Sequence, residues 1–441
     1  MLTRRLVIQQ IVPFMALAAW MAAPIVPIHA QAPGTTVRFD VNDVSFLWPV
    51  ARTKAEAEAL IAMDEKLPNG ENVWSADLFT QVVTAAEKIE TKASDERVVH
   101  IGFPDPAAFK DAHTWKVVGI RVNPSALGIT DDSIKQFGSL PGIRLIVQPV
   151  TLAGDVAKPH DFAAHLAFMF LLPRPDGKRF PALPDETAFK EIVDDLTKIK
   201  ALVEASHAPT AEEREMGVHP GFKLVPDFGK RLRDFVFKHV SRQHLFAISF
   251  MGLERPEPWI FFPVRSQTDG TFLPGEGQML TFRGGSPVFP AKAGEVSTAL
   301  LFDKDDDDDA VKARLSDRAF PATTNPELKE LKVGEVADRI ANPKFHHTLN
   351  TDCVSCHTET TRRQDLKLPA AAAEIAYRRP DGISGVAKSV LPKDKWNVRN
   401  FGWGLNFFEP DPSKKFAPTV SQRAANEAAD SAQFINQHYL K

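Results

Sequence analysis

Apolar residues recur along this chain with two periods, one near 2 and one near 3.6. Val37, Phe39 and Val41 lie two apart, which predicts an extended segment across 36–50. Leu78, Phe79, Val82, Ala86 and Ile89 recur at helical intervals, so 75–89 reads as a helix with Ser75 at its cap. A shorter helix is expected over 55–63, before the turn Pro68-Asn69-Gly70. Runs at 97–103, 115–122, 143–147 and 162–172 read as strands, with Pro104 and Pro124 closing the first two. The stripe Phe189, Ile192, Val193, Leu196, Ile199, Leu202 predicts a long helix over 185–203, and a shorter basic one follows over 228–240. Strands return at 245–251 and 259–264, and the Gly/Pro-rich stretch 270–295 reads as loop.

The connections between strands carry little helical pattern. That predicts a sheet or sandwich rather than a doubly wound parallel fold. Beyond residue 322 a helix is expected over 333–340, ending at Asn342-Pro343. The final helix opens with Thr419-Val420-Ser421-Gln422, read as a capping box, and carries a narrow face of Ala425, Ala428, Ala432 and Ile435. Such a face can lie close against another element or a flat ring. The expected fold class is α+β: a β-rich region with a few amphipathic helices over 31–320, of unassigned role, then a mainly helical and loop region over 321–441.

Composition narrows the partners. With 53 basic and 56 acidic residues the net charge is −3, so no basic excess points to nucleic acid or an anionic membrane surface. Arg4 and Arg5 precede an apolar run from Ile11 to Ile28, closed by small residues near Ala30. This is the pattern of an export signal over 1–30. Pro13, Pro24 and Pro27 interrupt the run, whereas a membrane anchor needs ~20 largely continuous apolar residues. The mature chain is therefore expected in the periplasm or secreted, with no stable anchor. The acidic run Asp303-Lys304-Asp305-Asp306-Asp307-Asp308-Asp309 reads as a solvated loop, since it lacks the spaced oxygens and glycine of a calcium loop.

The chain holds two cysteines, and both stand in Cys353-Val354-Ser355-Cys356-His357. An exported chain with no other cysteine has none to spare for a structural disulfide elsewhere. The C-x-x-C-H spacing suits one covalent haem: two thioethers to the vinyl groups, with the following histidine under the ring as an iron ligand. A redox dithiol would need the pair at a helix N-terminus directly after a buried strand, and the polar residues before Cys353 do not predict that context. A structural zinc site would draw on Cys353, Cys356 and two of His346, His347 and His357, but no second paired motif is present. Here the sequence resembles a c-type cytochrome, strongly over these five residues and loosely over the last hundred. The runs Asn397–Gly402 and Pro418–Arg423 also resemble uncharacterised exported bacterial proteins carrying a single haem motif.

The resemblance implies haem c, His357 as proximal ligand, one-electron transfer and a redox partner protein. It also implies attachment to an unfolded chain outside the cytoplasm. That favours the general secretory route over the twin-arginine signal which Thr3-Arg4-Arg5-Leu6-Val7-Ile8 also resembles. The distal side departs from small cytochromes, because no methionine follows Met279. His346, His347 and His438 are weak candidates for the sixth ligand, and a more distant histidine such as His165, or no protein ligand, stays open. Arg362, Arg363, Arg378, Arg379 and Arg399 are candidates for the propionates, and Trp396, Trp403 and Phe407 for the ring walls. The competing functions are a haem enzyme with an open distal site, of peroxidase or oxidase type, and a haem-stapled binding or sensor protein. The oligomeric state is not set by the sequence.

Overall fold

The computed structural model describes residues 37–440, apart from 88–89, 93–97, 101–105, 127, 179, 254–258, 267–271, 275–277, 281–332, 346–352, 366–374, 394–396 and 407–408. The export signal and the acidic run at 303–309 lie outside the described residues.

A central antiparallel sheet follows the chain as a meander. Its strands are β1 (Ser45–Leu47), β2 (Trp115–Asn123), β3 (Gly142–Ala153), β4 (Phe162–Met169), β5 (Leu245–Leu253), β6 (Trp259–Ser266) and β7 (Phe272–Pro274), each beside the next. Val156–Pro159 pairs with the end of β3, and β8 (Gln278–Leu280) pairs with β6, making nine strands. The fold is therefore α+β. The stretch 270–295 differs from its expected loop: β7 and β8 lie within it, short three-residue strands that backbone pairing holds without an alternating side-chain pattern.

Register separates the two faces of the sheet. Phe46, Ile120, Leu145, Leu166, Ile248 and Val264 stand side by side across six strands, and all are buried. The neighbouring row, one residue along each strand and so on the other face, is Ser45, Arg121, Arg144, Ala167 and Ala247. The next row on that second face is Leu47, Gly119, Ile146, His165 and Ser249. One face is thus continuous apolar core, and the other combines small, polar and charged residues with the buried Leu47 and Ile146.

Helices form where the periodicity predicts them. Helix α1 (Ala76–Glu87) buries Leu78, Phe79, Val82, Val83 and Ala86. Helix α2 (Glu186–Ser206) is capped by Asp185, whose carboxylate accepts from the Ala188 N–H at 3.0 Å. It buries Ile192, Leu196, Ile199 and Val203, and Leu202 falls about 100° off that stripe and is exposed. Helix α3 (Phe228–His239) buries Phe228, Leu232, Phe235 and Val236.

The C-terminal part adds α4 (Val333–Ala341), α5 (Cys353–Asp365), the hairpin β9 (Phe401–Leu405) with β10 (Phe416–Val420), and α6 (Gln422–His438). The cap of α6 is Ser421, accepting from the Ala424 N–H, while Thr419 belongs to β10. The small face of α6 is buried as predicted, with Ala425, Ala428, Ala432 and Ile435 all inaccessible.

Residues 36–441 cluster as one unit, and one hydrophobic core contains residues from both sides of position 320. The joint is polar and specific. Gln148, fully buried on β3, accepts from the Trp403 N–H at 2.7 Å and donates to the Trp403 carbonyl at 3.0 Å. Its amide thereby replaces a missing ladder partner for β9. Gly402 sits beside it at φ 145°, and a Cβ there would come within 2.9 Å of Gln148 Oε1. Trp403 Nε1 donates to the Trp48 carbonyl at 2.9 Å, so this tryptophan is a core element. Among the described residues no helix is long and apolar enough to cross a membrane.

His219 shows what this core does to a titratable group. It stacks between Phe46 and Phe228, each 4.8 Å away, and its Nδ1 accepts from the Gly221 N–H at 3.0 Å. Burial, helped by the Lys200 charge, pushes its pKa down to about 3. The unfolded chain then binds a proton that the folded chain refuses, so stability falls as pH drops from the ordinary histidine value of about 6.5 towards 3. Urea unfolding at several pH values in that window should show His219→Gln flattening the profile by up to one proton, about 1.4 kcal/mol per pH unit. An unchanged slope would show that His219 already titrates normally.

Candidate functional site

The C-x-x-C-H run opens α5, with Cys353 as its first residue. Positions 353, 356 and 357 are separated by three and four residues, so helical geometry places them on one side of the helix. The sequence did not predict a helix N-terminus here. The residues before it, 346–352, lie outside the described residues, and with them His346 and His347; nothing is described of the Cys353 side chain.

His357 is oriented by the backbone. Its Nδ1 lies 2.8 Å from the Val398 carbonyl, which makes Nδ1 the protonated nitrogen and leaves the imidazole lone pair on Nε2. A metal-binding histidine is commonly held in this way, its second nitrogen donating to a backbone carbonyl. Burial is the main influence on the ring, and its pKa falls to about 4. The neighbouring Asn400 donates to Cys356 Sγ at 3.7 Å.

The segment 398–400 is fixed by a buried ion pair. Arg399 Nε and Nη2 both donate to Asp161 Oδ1, at 3.0 and 2.6 Å, across 238 residues of sequence. Burial pushes Asp161 up and Arg399 down, and their mutual attraction opposes both shifts. Arg399 Nη1 and Asn400 Oδ1 are buried without a hydrogen-bond partner among the described residues. Unsatisfied polar atoms of this kind are rare in a native interior, and a polar ligand could satisfy them.

Three further arginines converge beside this segment. Arg121 Nη2 lies 3.1 Å from Glu427 Oε2, and Arg423 Nε lies 2.7 Å from Glu427 Oε1. Arg144 stands directly across from Arg121 in the sheet and forms no hydrogen bond or ion pair among the described residues. Burial pushes Glu427 up, but Arg423, Arg121 and Arg144 together hold it at about 2. Cys356 is within electrostatic reach of both Arg144 and Arg423. Three guanidinium groups thus share one carboxylate next to the cysteine. The surplus of positive charge matches the two propionates of a haem.

Sequence-based candidates divide sharply. Arg363 is engaged by Glu359 and by Asp338 of α4, which removes it from the propionate set. Arg378 and Arg379 are exposed. Nothing is described of the Arg362 side chain, and Trp396 and Phe407 lie outside the described residues. His438 is exposed and stacks on Phe434, 3.9 Å away. Gln422, at the other end of α6, is the residue that meets α5, through a 3.0 Å bond from its N–H to Thr360 Oγ1. At 1.5 Å per residue His438 is about 24 Å further along. It is therefore no candidate for the iron.

Arg121, Arg144, Arg423 and Glu427 were missed by sequence reasoning, although Arg144 carried a signal: a charged residue inside the otherwise apolar run Ile143–Val147. Among the described residues no three His, Cys, Asp or Glu side chains cluster as a metal site. No protein family, curated protein or solved structure matches the chain.

Removing one member of the buried pair leaves the other charge uncompensated. Arg399→Ala should cost ~3–5 kcal/mol in denaturant unfolding, while Asp161→Leu combined with Arg399→Met should recover most of that loss. A loss below about 1 kcal/mol for the single variant would mean that solvent reaches the pair.

Proposed function

We propose that this chain is an exported, c-type mono-haem protein that transfers single electrons to and from a partner protein. The observation that carries the reading is the His357 Nδ1 contact with the Val398 carbonyl, one residue after Cys356 on the same helix. It presets the tautomer that an axial ligand requires. A bound haem would supply the ferrous–ferric couple.

The chain's own residues have defined tasks in this reading. Cys353 and Cys356 would hold the porphyrin by thioethers, and His357 Nε2 would bind the iron. Arg144 and Arg423, with Arg399 Nη1, offer donors to the propionates. The ferrous site carries one positive charge fewer than the ferric site, so three arginines nearby stabilise it relatively and would raise the potential above that of the same ligands without them. The export pattern of residues 4–30 supports a periplasmic or secreted location, where c-type haem is attached.

A second reading gains support from the helix N-terminus. Two cysteines in the first turn of α5, with Cys356 within electrostatic reach of Arg144 and Arg423, also suit a redox dithiol, because positive charge stabilises a thiolate. The orientation of His357 and the unpartnered polar atoms of Arg399 and Asn400 have no task in that chemistry, so haem is preferred.

Production in a periplasm equipped for haem attachment decides between them. Intact mass should rise by one haem, the pyridine haemochrome should show a c-type band, and spectroelectrochemistry should follow a single one-electron wave. Cys353→Ala with Cys356→Ala should abolish the covalent adduct. A purified chain with two titratable thiols and no haem mass would leave the dithiol reading.

A further inference from the structure

His165 lies in the middle of β4, on the small and polar face of the sheet. Among the described residues, neither of its ring nitrogens forms a hydrogen bond and it has no ion pair. It keeps some accessible surface, yet it sits deep enough for burial to dominate its titration. A deep imidazole with no polar partner is costly unless something else satisfies it.

Three of the four nearest neighbours of His165 on its face of the sheet are small. Ala163 and Ala167 flank it along the strand, and Ser249 stands opposite on β5. Ile146, its partner on β3, is buried and lies 3.6 Å from where a Cβ on Gly402 would be, whereas Ser249 is exposed. His165 thus marks the edge of the area that the C-terminal segment covers.

The strand that carries His165 is also tied to the haem motif. Asp161, four residues before His165 and immediately before β4, grips Arg399, and the adjoining Val398 orients His357. Arg144, Arg399 and Arg121 are within electrostatic reach of His165, as is the His357 ring. Burial first, and the guanidinium charges second, favour the neutral His165 imidazole, the form that binds a metal.

We propose that His165 is the second axial ligand of the haem held by Cys353, Cys356 and His357, making the iron six-coordinate with two histidines. This inference rests on the haem reading above. It assigns the site to electron transfer rather than to an open-site peroxidase or oxidase, because both axial positions are filled by the protein. It also gives the sheet a task, since a ligand from β4 and one from α5 would clamp the cofactor between the two halves of the chain.

The test uses the full chain carrying its haem. The wild type should give a ferric low-spin electron paramagnetic resonance spectrum and a near-infrared charge-transfer band typical of two imidazoles. His165→Ala should retain haem by pyridine haemochrome, become high-spin, and return to low-spin on addition of imidazole. His165→Met should remain six-coordinate with a shifted charge-transfer band and a higher potential. A His165→Ala protein that stays low-spin without imidazole overturns the proposal. In that event a methionine-type band would point to Met251, diagonal to His165 on β5, and a bis-imidazole band to His346 or His347. If His165→Ala fails to fold, a His165→Met spectrum identical to wild type overturns the proposal, and a shifted one supports it. A wild-type chain with no haemochrome band overturns the haem reading itself, which separates the two failures.

Discussion

Arg399 and Asp161 meet where water does not reach them, and much of the site depends on that contact. A guanidinium and a carboxylate taken out of water are stable only while they face each other with good geometry. Both Arg399 donors converge on one oxygen of Asp161, so the position of 398–400 relative to the start of β4 is narrowly set. Val398 then presents its carbonyl to His357, and Asn400 reaches Cys356. The orientation of a helix that begins at Cys353 is in this way tied to a strand that begins at Phe162.

The polar face of the sheet follows from the same constraint. A two-sided sheet in an all-apolar core would carry Val or Ile at positions 121, 144 and 165. Here it carries Arg121, Arg144 and His165, with Glu427 of α6 balancing part of the charge. Such groups are costly to bury, and three arginines against one carboxylate leave a surplus of positive charge that reaches Cys356. The glutamines and glycines nearby serve close approach: Gln148 satisfies both backbone groups of Trp403, and Gly402 allows the strand to lie against it.

Local pattern revealed the parts that local physics decides. The stripes of α1 and α2 and the small face of α6 were legible because burial repeats at the helical period, and the central strands because they are short, nearly continuous apolar runs buried along most of their length. The hairpin of β9 and β10 was not, since Phe401-Gly402-Trp403-Gly404-Leu405 reads as an aromatic cluster, and its pairing with 416–420 and with Gln148 is set at long range. The cap of α6 was misplaced by two residues because Thr419 and Ser421 are equally good acceptors, and only pairing in β10 removes Thr419. At the site, Cys353, Cys356 and His357 announce themselves by spacing. His165 and Arg144 do not, because the partners that explain them lie some two hundred residues away.

One further contact has a temporal meaning. The Asn436 side chain accepts from the Phe39 N–H at 2.6 Å and donates to the Phe39 carbonyl at 2.9 Å, so residues at opposite ends of the described chain are clasped together. A chain made from its N-terminal side carries the strands with Arg144 and His165 before the segment that packs against them exists. Assembly of the site is therefore a late event by topology.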